Sequence, residues 1–451
     1  MSLKVIELND HNITVGDENG IIIQSPGFAL VTETELEFGQ SAEQQVRLQP
    51  TKSYNKYWYE LNLEPFPHDQ KVRHHADLAF GQLVDLAEKA GIDGEVIFAV
   101  PGSFTQQQLG VLLGVAQQTA FSPVGFVDSA LLATAPIVQD ETVIYADIHL
   151  HQAVLTKLTV DEGYFKTEST VQVPGAGKLD YINSMMQLAT ELFIEQCRFN
   201  PQYNAHFEQQ LYNELPSWLL GENKDQTFFF ELNNEDTTHR AKVPRERVLD
   251  VLTPFYQKIN GQIKAMTTNA SSQLLISAAL GELPGYSSTV TDSYKLELAR
   301  KQQINESVYS YLPLIISSGK KINLVKRLEM SEIGACLPSM EIPSFQGDLA
   351  THLLFESEAI EISDIEIRNF KRGHAEDSVA NVIQMQIAEL PEKLGNIDKT
   401  EDGVFFTCYY RKAFLNNKLI KKGKYKVGLG DSITFVEDGK SVRLIKVHHG
   451  K

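Results

Sequence analysis

Two short runs hold most of the side chains that could do chemistry together. Near the start stand Glu7, Asn9, Asp10 and His11, in the order Glu-Leu-Asn-Asp-His; much further on stand Asp147, His149 and His151, in the order Asp-Ile-His-Leu-His. Each run closes a strand-like stretch, residues 4–8 in the first case and 142–146 in the second. A His-x-His pair on a strand sends both rings to one face. Imidazoles beside carboxylates suit a transition metal better than magnesium. The plainer reading makes Glu7 and Asp10 solvated and the two histidines polar residues at a strand end. A third run, Gly175-Ala176-Gly177-Lys178, looks like the tail of a phosphate-binding loop. That loop needs a glycine five residues before the Gly-Lys pair and Ser or Thr after it; Gln172 and Leu179 stand there, so the motif fails.

The elements that must position these runs alternate between strand and helix. Residues 96–100 form a continuous apolar run that stops at Pro101-Gly102, and Ser103 or Thr105 offers a hydroxyl N-cap to a helix from about 106 to 120. A short strand at 124–127, Asp128 and a small-residue helix over 129–135 follow. Residues 13–15 and 21–23 continue a meander from the first strand, and 245–266 reads as an amphipathic helix. This order predicts an α/β fold.

The wording of these segments resembles the actin / 70-kDa heat-shock chaperone / sugar-kinase superfamily, closest to the heat-shock chaperone ATPase domain, where one reads "VP-x-x-F", a helix, then "NEPTAAA". Further landmarks fall in the family's order. Residues 38–50 resemble "vGdaAk…nP", residues 171–183 the "GG-x-x-x-D" turn, and residues 274–290 the adenosine-side "GGssr-iPG". The resemblance implies a two-lobed actin-like (ribonuclease H-like) module over 1–325, with lobe I about 1–140 and lobe II about 141–325. It also implies a nucleotide cleft at Glu7, Asn9, Asp10, Asp147, His149, His151, Gly177 and Gly281. The family grips phosphate with glycine-rich turns, because bare backbone approaches an anion closely. Here Asn9 and Asp10 replace Gly-Thr, His149 and Leu150 replace glycines, and Ala278-Ala279 replace Gly-Gly. Glu7 takes the place of the aspartate that orients metal-bound water. The expectation is therefore a chaperone-like pseudo-ATPase that serves as a protein-binding or assembly component, with no catalytic residues and no cofactor. The alternative is an ATPase that takes ATP with Mg through rebuilt phosphate loops.

From 348 to 451, after a connector over 326–347, strand-like runs with polar breaks predict an all-β domain. Its last hairpins, FLNNKLIKKGKYKVGLGDSITF, resemble a forkhead-associated domain, which would require an Arg and a Ser on opposing loops to read phosphothreonine. Arg368, Lys371, Arg372 and His374 are the charges on hand, and Phe414 and Tyr425 are expected in the sandwich interior. The formal charge of −17 disfavours nucleic acid as a partner, and the basic run over 418–426 reads as a hairpin tip. Cys197, Cys336 and Cys408 lack metal-finger spacing, and Cys197 reads as a small buried hydrophobe. With neither a leader-like start nor a long apolar run, the expected setting is cytoplasmic, with a protein partner and no membrane.

Overall fold

The computed structural model describes residues 3–66, 71–138, 142–219, 227–234, 237–267, 273–290, 294–316, 322–330, 351–355, 358–369, 382–385, 390–391, 393–400, 403–410, 413–416, 418–420, 423–436 and 440–446. The protein is a mixed α/β chain that divides into two compact units, Met1–Ser339 and Met340–Lys451. Lys371, Arg372, His374, Cys336 and most of the expected connector lie outside the described residues.

The first unit repeats one topology twice. Strands β1 (Lys4–Glu7), β2 (Ile13–Asp17) and β3 (Gly20–Ser25) form an antiparallel meander, and β4 (Glu95–Val100) and β5 (Ser122–Asp128) add parallel to it on the β1 side. Strands β6 (Thr142–Ile148), β7 (Gln152–Asp161) and β8 (Tyr164–Pro174) form a second meander. To it β9 (Gln273–Ile276) and β10 (Lys295–Leu298) add parallel on the β6 side. The two orders, 3-2-1-4-5 and 8-7-6-9-10, are the same pattern. One later segment staples both sheets: Leu324–Val325 pairs parallel with β5, and Arg327–Glu329 pairs antiparallel with β8.

Local sequence explains these elements. Central parallel strands are covered on both faces and so read as unbroken apolar runs; in β4 every residue after Glu95 is buried. Thr105 and Gln108 form a reciprocal capping box at the start of helix Gln106–Ala116, which ends four residues short of the expected 120. Asp128 Oδ1 accepts the Ala130 N–H at 2.9 Å and so caps helix Ser129–Thr134. Helix Arg245–Met266 has the expected ends, and Val248, Leu252, Tyr256, Ile259 and Ile263 form its buried stripe. Among the described residues, no helix is long and apolar enough to cross a membrane.

One expectation needs correction at this level. Cys197 is half-buried rather than buried, and its Sγ donates to the Arg240 carbonyl at 3.3 Å. The stretch 38–50, which resembles a helix leading into a Pro-terminated loop, holds the short helix Gln40–Glu43, with a 3-10 turn from Pro50 to Lys52 at its end.

The second unit is all-β among its described residues, with a six-stranded and a five-stranded sheet around one apolar core. Asn416 adopts φ 52° in the turn between Ala413–Leu415 and Lys418–Ile420, and its side chain bonds Asp431 Oδ1 and the Ser432 N–H at 2.8 Å each. Ala413 and Leu415 are the buried residues of their strand. Phe414, expected inside, lies on the other face because strand side chains alternate. Tyr425 packs against the core, and Arg368 reaches Glu366 across its own strand. Lys424, in the basic run, is tied to Asp398 at 3.0 Å and sits over the Phe405 ring.

Candidate functional site

The duplicated topology sets the site. Strands β1 and β6 hold equivalent places in the two sheets, and each ends in a turn that leads back along the next strand. Those turns are the two runs of polar residues, and they meet. Asn9 Nδ2 donates to Asp147 Oδ2 at 2.9 Å and to the Ile148 carbonyl at 3.1 Å. From the other turn, the Leu150 N–H donates to Asp10 Oδ1 at 2.8 Å. His149 lies between the carboxylates, with Nδ1 3.4 Å from Asp10 Oδ1 and Nε2 3.7 Å from Asp147 Oδ2. Asp10, Asp147 and His149 are all at least nine-tenths buried. Glu7 and Asp10 are therefore not the solvated pair of the plainer reading; even Glu7, which keeps some surface, shows it to a cavity wall.

Burial makes each charge here costly unless another charge or donor answers it. Burial pushes the Glu7 carboxyl up to about 8, and nearby Asp147 pushes it the same way. Asp147 is likewise raised by burial, although His149, Ser277 and Asn9 hold it back. For Asp10, burial is outweighed by His149 and the Leu150 N–H, which lower its carboxyl below the ordinary range. For His149, burial is outweighed by Asp10 and Asp147, which raise it. Burial, then Lys178, drive His11 down to about 3. At neutral pH the cluster therefore holds a protonated Glu7 and a neutral His11, while the Asp10 carboxylate and the His149 ring each favour the charged form of the other.

The first run, as it leaves β1 and turns, sends its side chains to two different cavities. Glu7, Asn9 and His11 line one of about 320 Å³, with Asp147, Tyr145, Lys178, Ser277, Ala278, Ala279, Arg300 and Lys301. Leu8, Asp10 and Ile13 line another of about 440 Å³, with His149 and Gln152. The cations of the first cavity already have partners: Lys178 with Glu43 at 3.1 Å, Arg300 with Glu306 at 2.7 Å and Lys301 with Glu282 at 2.7 Å.

The eight expected site residues are thus only partly brought together. His149 and His151 do not share a face, because they sit in the turn between β6 and β7 and not on a strand. His151 turns away, its Nε2 2.8 Å from the Asn55 carbonyl and its ring 5.5 Å from that of Tyr59. Gly177 lines neither cavity; it starts helix Lys178–Cys197, and a Cβ there would lie 2.3 Å from the Gln152 backbone nitrogen. Gly281 ends a four-residue helix and packs against Leu298. Among the described residues, no three His, Cys, Asp or Glu side chains are grouped to hold a metal. Reasoning from sequence gave no role to His11 in its short run, to Lys178 as a cavity wall, or to Ser277, Arg300 and Lys301; His11, Lys178 and Ser277 adjoin residues already singled out, Asp10, Gly177 and Ala278. No protein-family model matches the chain, and no curated protein matches it.

Proposed function

We propose that the first unit is an actin-like, two-lobed module of the heat-shock chaperone type whose phosphate turns are closed, so that the chain works as a pseudo-ATPase in protein binding or assembly. The repeated strand order supports the architecture, with the Glu7 and Asp147 turns in equivalent places. One observation carries the loss of ATP hydrolysis: the Leu150 N–H, on the turn that would receive phosphate, is bonded to the Asp10 carboxylate. The protein supplies its own anion there. A phosphate about 4 Å from that carboxylate would meet a repulsion of up to about 4 kcal/mol at an effective dielectric of 20, reduced by any charge on the His149 ring beside it. Asn9 further bridges to Asp147 and Ile148, through the space a glycine would leave open. The protein-binding part is supported by the exposed Tyr203 and Ile194, which line one open groove of the first unit with Phe199 and Phe207.

Thermal shift of the full chain with ATP, ADP and magnesium tests this reading. No shift is expected; a ligand at 100 times its Kd would stabilise by about 2.7 kcal/mol. A reproducible shift with ATP plus magnesium would favour the second reading, a nucleotide-binding ATPase with rebuilt loops. What favours that reading is the 320 Å³ cavity beside Glu7 and Asp147, a volume within the range of small-molecule sites.

A further inference from the structure

We propose that the second cavity, on the Asp10 side of the joined turns, binds an organic cation: an alkylammonium or alkylguanidinium group. Its wall carries three aromatic side chains, Trp58, Tyr59 and Phe104. Trp58 is held rigidly, because its indole N–H donates to Gln82 Oε1 at 2.7 Å while Gln82 is anchored to Ser25 and Pro26. Aromatic faces attract cations most strongly when partly shielded from water. Asp10 and Glu60 line the same cavity against a single imidazole, His149; Glu60 also lies 3.6 Å from the exposed Lys56 ammonium, which is not part of the lining.

Hydrogen-bond bookkeeping points the same way. Three of the wall's N–H groups are engaged: Gln108 Nε2 donates to the Tyr59 carbonyl at 3.1 Å, Gln172 Nε2 to the Ser103 carbonyl at 3.4 Å, and the Trp58 indole to Gln82. His149 faces Asp10 and Asp147. Gln152 is 4% exposed and its Oε1 is a buried acceptor with no partner. Such an atom costs free energy until a donor reaches it. An anion would meet the Asp10 and Glu60 carboxylates, whereas an ammonium or guanidinium brings charge to the aromatic faces and donors to the Gln152 oxygen. This site is separate from the 320 Å³ cavity and does not depend on whether nucleotide binds there.

The chain has two tryptophans, so Trp218→Phe leaves Trp58 as the sole emitter. In that background the full chain is titrated with n-butylammonium and n-butylguanidinium at constant chloride, with 1-butanol and acetate as controls. Saturable change in Trp58 emission is expected with the cations and not with the controls. Gln152→Leu should weaken cation binding about tenfold through loss of the acceptor, and Phe104→Leu about threefold through loss of one ring. Putrescine and the blocked peptide Gly-Gly-Lys-Gly-Gly separate the two sources of such a group, a free amine and a protein lysine; tighter binding of either supports the site. No response to the cations, an equal response to 1-butanol, or preference for acetate would overturn the proposal. So would unchanged affinity in Phe104→Leu, which stands as the test if Gln152→Leu fails to fold.

Discussion

Removing the Asp10 carboxylate leaves the Leu150 N–H and the His149 ring without their acceptor in a place water barely reaches. Asp10→Ala is therefore expected to lower the stability of the first unit by about 3–5 kcal/mol, the cost of breaking a buried pair from one side. Asp10→Asn keeps an oxygen for the Leu150 N–H and should recover part of that loss. Urea unfolding followed by far-UV circular dichroism measures both. Equal midpoints for wild type and Asp10→Ala would mean that the turns are not held by this contact. At this scale the sequence reveals the residues better than their partners. Glu7, Asn9, Asp10, Asp147 and His149 are recognisable as one polar set, since polar residues at the ends of apolar strands stand out. Their division between two cavities depends on how the run leaves β1 and turns. His151 is not placed by sequence for a related reason: the two-residue spacing of a strand does not hold at residues 149–151, which form a turn.

The ends of β1 and β6 act as one titrating element, and the signs of its groups can be combined. Glu7 stays protonated in the folded chain up to about 8 but ionises near 4.5 when unfolded, so stability falls as pH rises between those values. One such group contributes a slope of about 1.4 kcal/mol per pH unit. Asp147, raised, acts in the same direction from 3.8 upward, and His149, raised, loses its contribution as pH climbs through its folded value above 6.5. His11 opposes them: held at about 3, its contribution is full above 6.5 and is lost as pH falls from there toward 3. Asp10, lowered, loses its contribution only below 3.8. Between 4.5 and 6.5 the Glu7 and His11 slopes cancel; from 6.5 to 8 the Glu7 and His149 losses act unopposed. Melting temperature should thus be broadly highest at mildly acidic pH and decline toward pH 8, with a shallower decline in Glu7→Gln. A rise from pH 6.5 to 8, or an unchanged slope in Glu7→Gln, would contradict this assignment. Elements with strong periodicity were legible, helix Arg245–Met266 to both ends. Strand Lys393–Thr400 was not, because its run Lys-Leu-Gly-Asn-Ile-Asp-Lys-Thr is polar and owes its form to antiparallel neighbours on both sides.

Among the described residues, three large apolar clusters lie in the first unit and one in the second, and each unit buries its own core. Recombinant 1–339 and 340–451 are each expected to unfold cooperatively when made alone. Calorimetry checks this, and a fragment 340–451 with no heat-absorption peak would refute it. The change from α/β to β-only elements was readable in the sequence because helical spacing stops and strand alternation takes over. The duplicated sheet topology was not, because the two turns share little beyond an acid followed by an apolar residue, Glu7-Leu8 and Asp147-Ile148. That duplication brings the turns together, and the account stands on what they then do. Isothermal titration of the full chain with ATP and magnesium at neutral pH tests it most directly. No saturable heat is expected, because Asp10 already occupies the Leu150 N–H; a one-to-one binding isotherm that is abolished by Asp147→Asn would contradict the account.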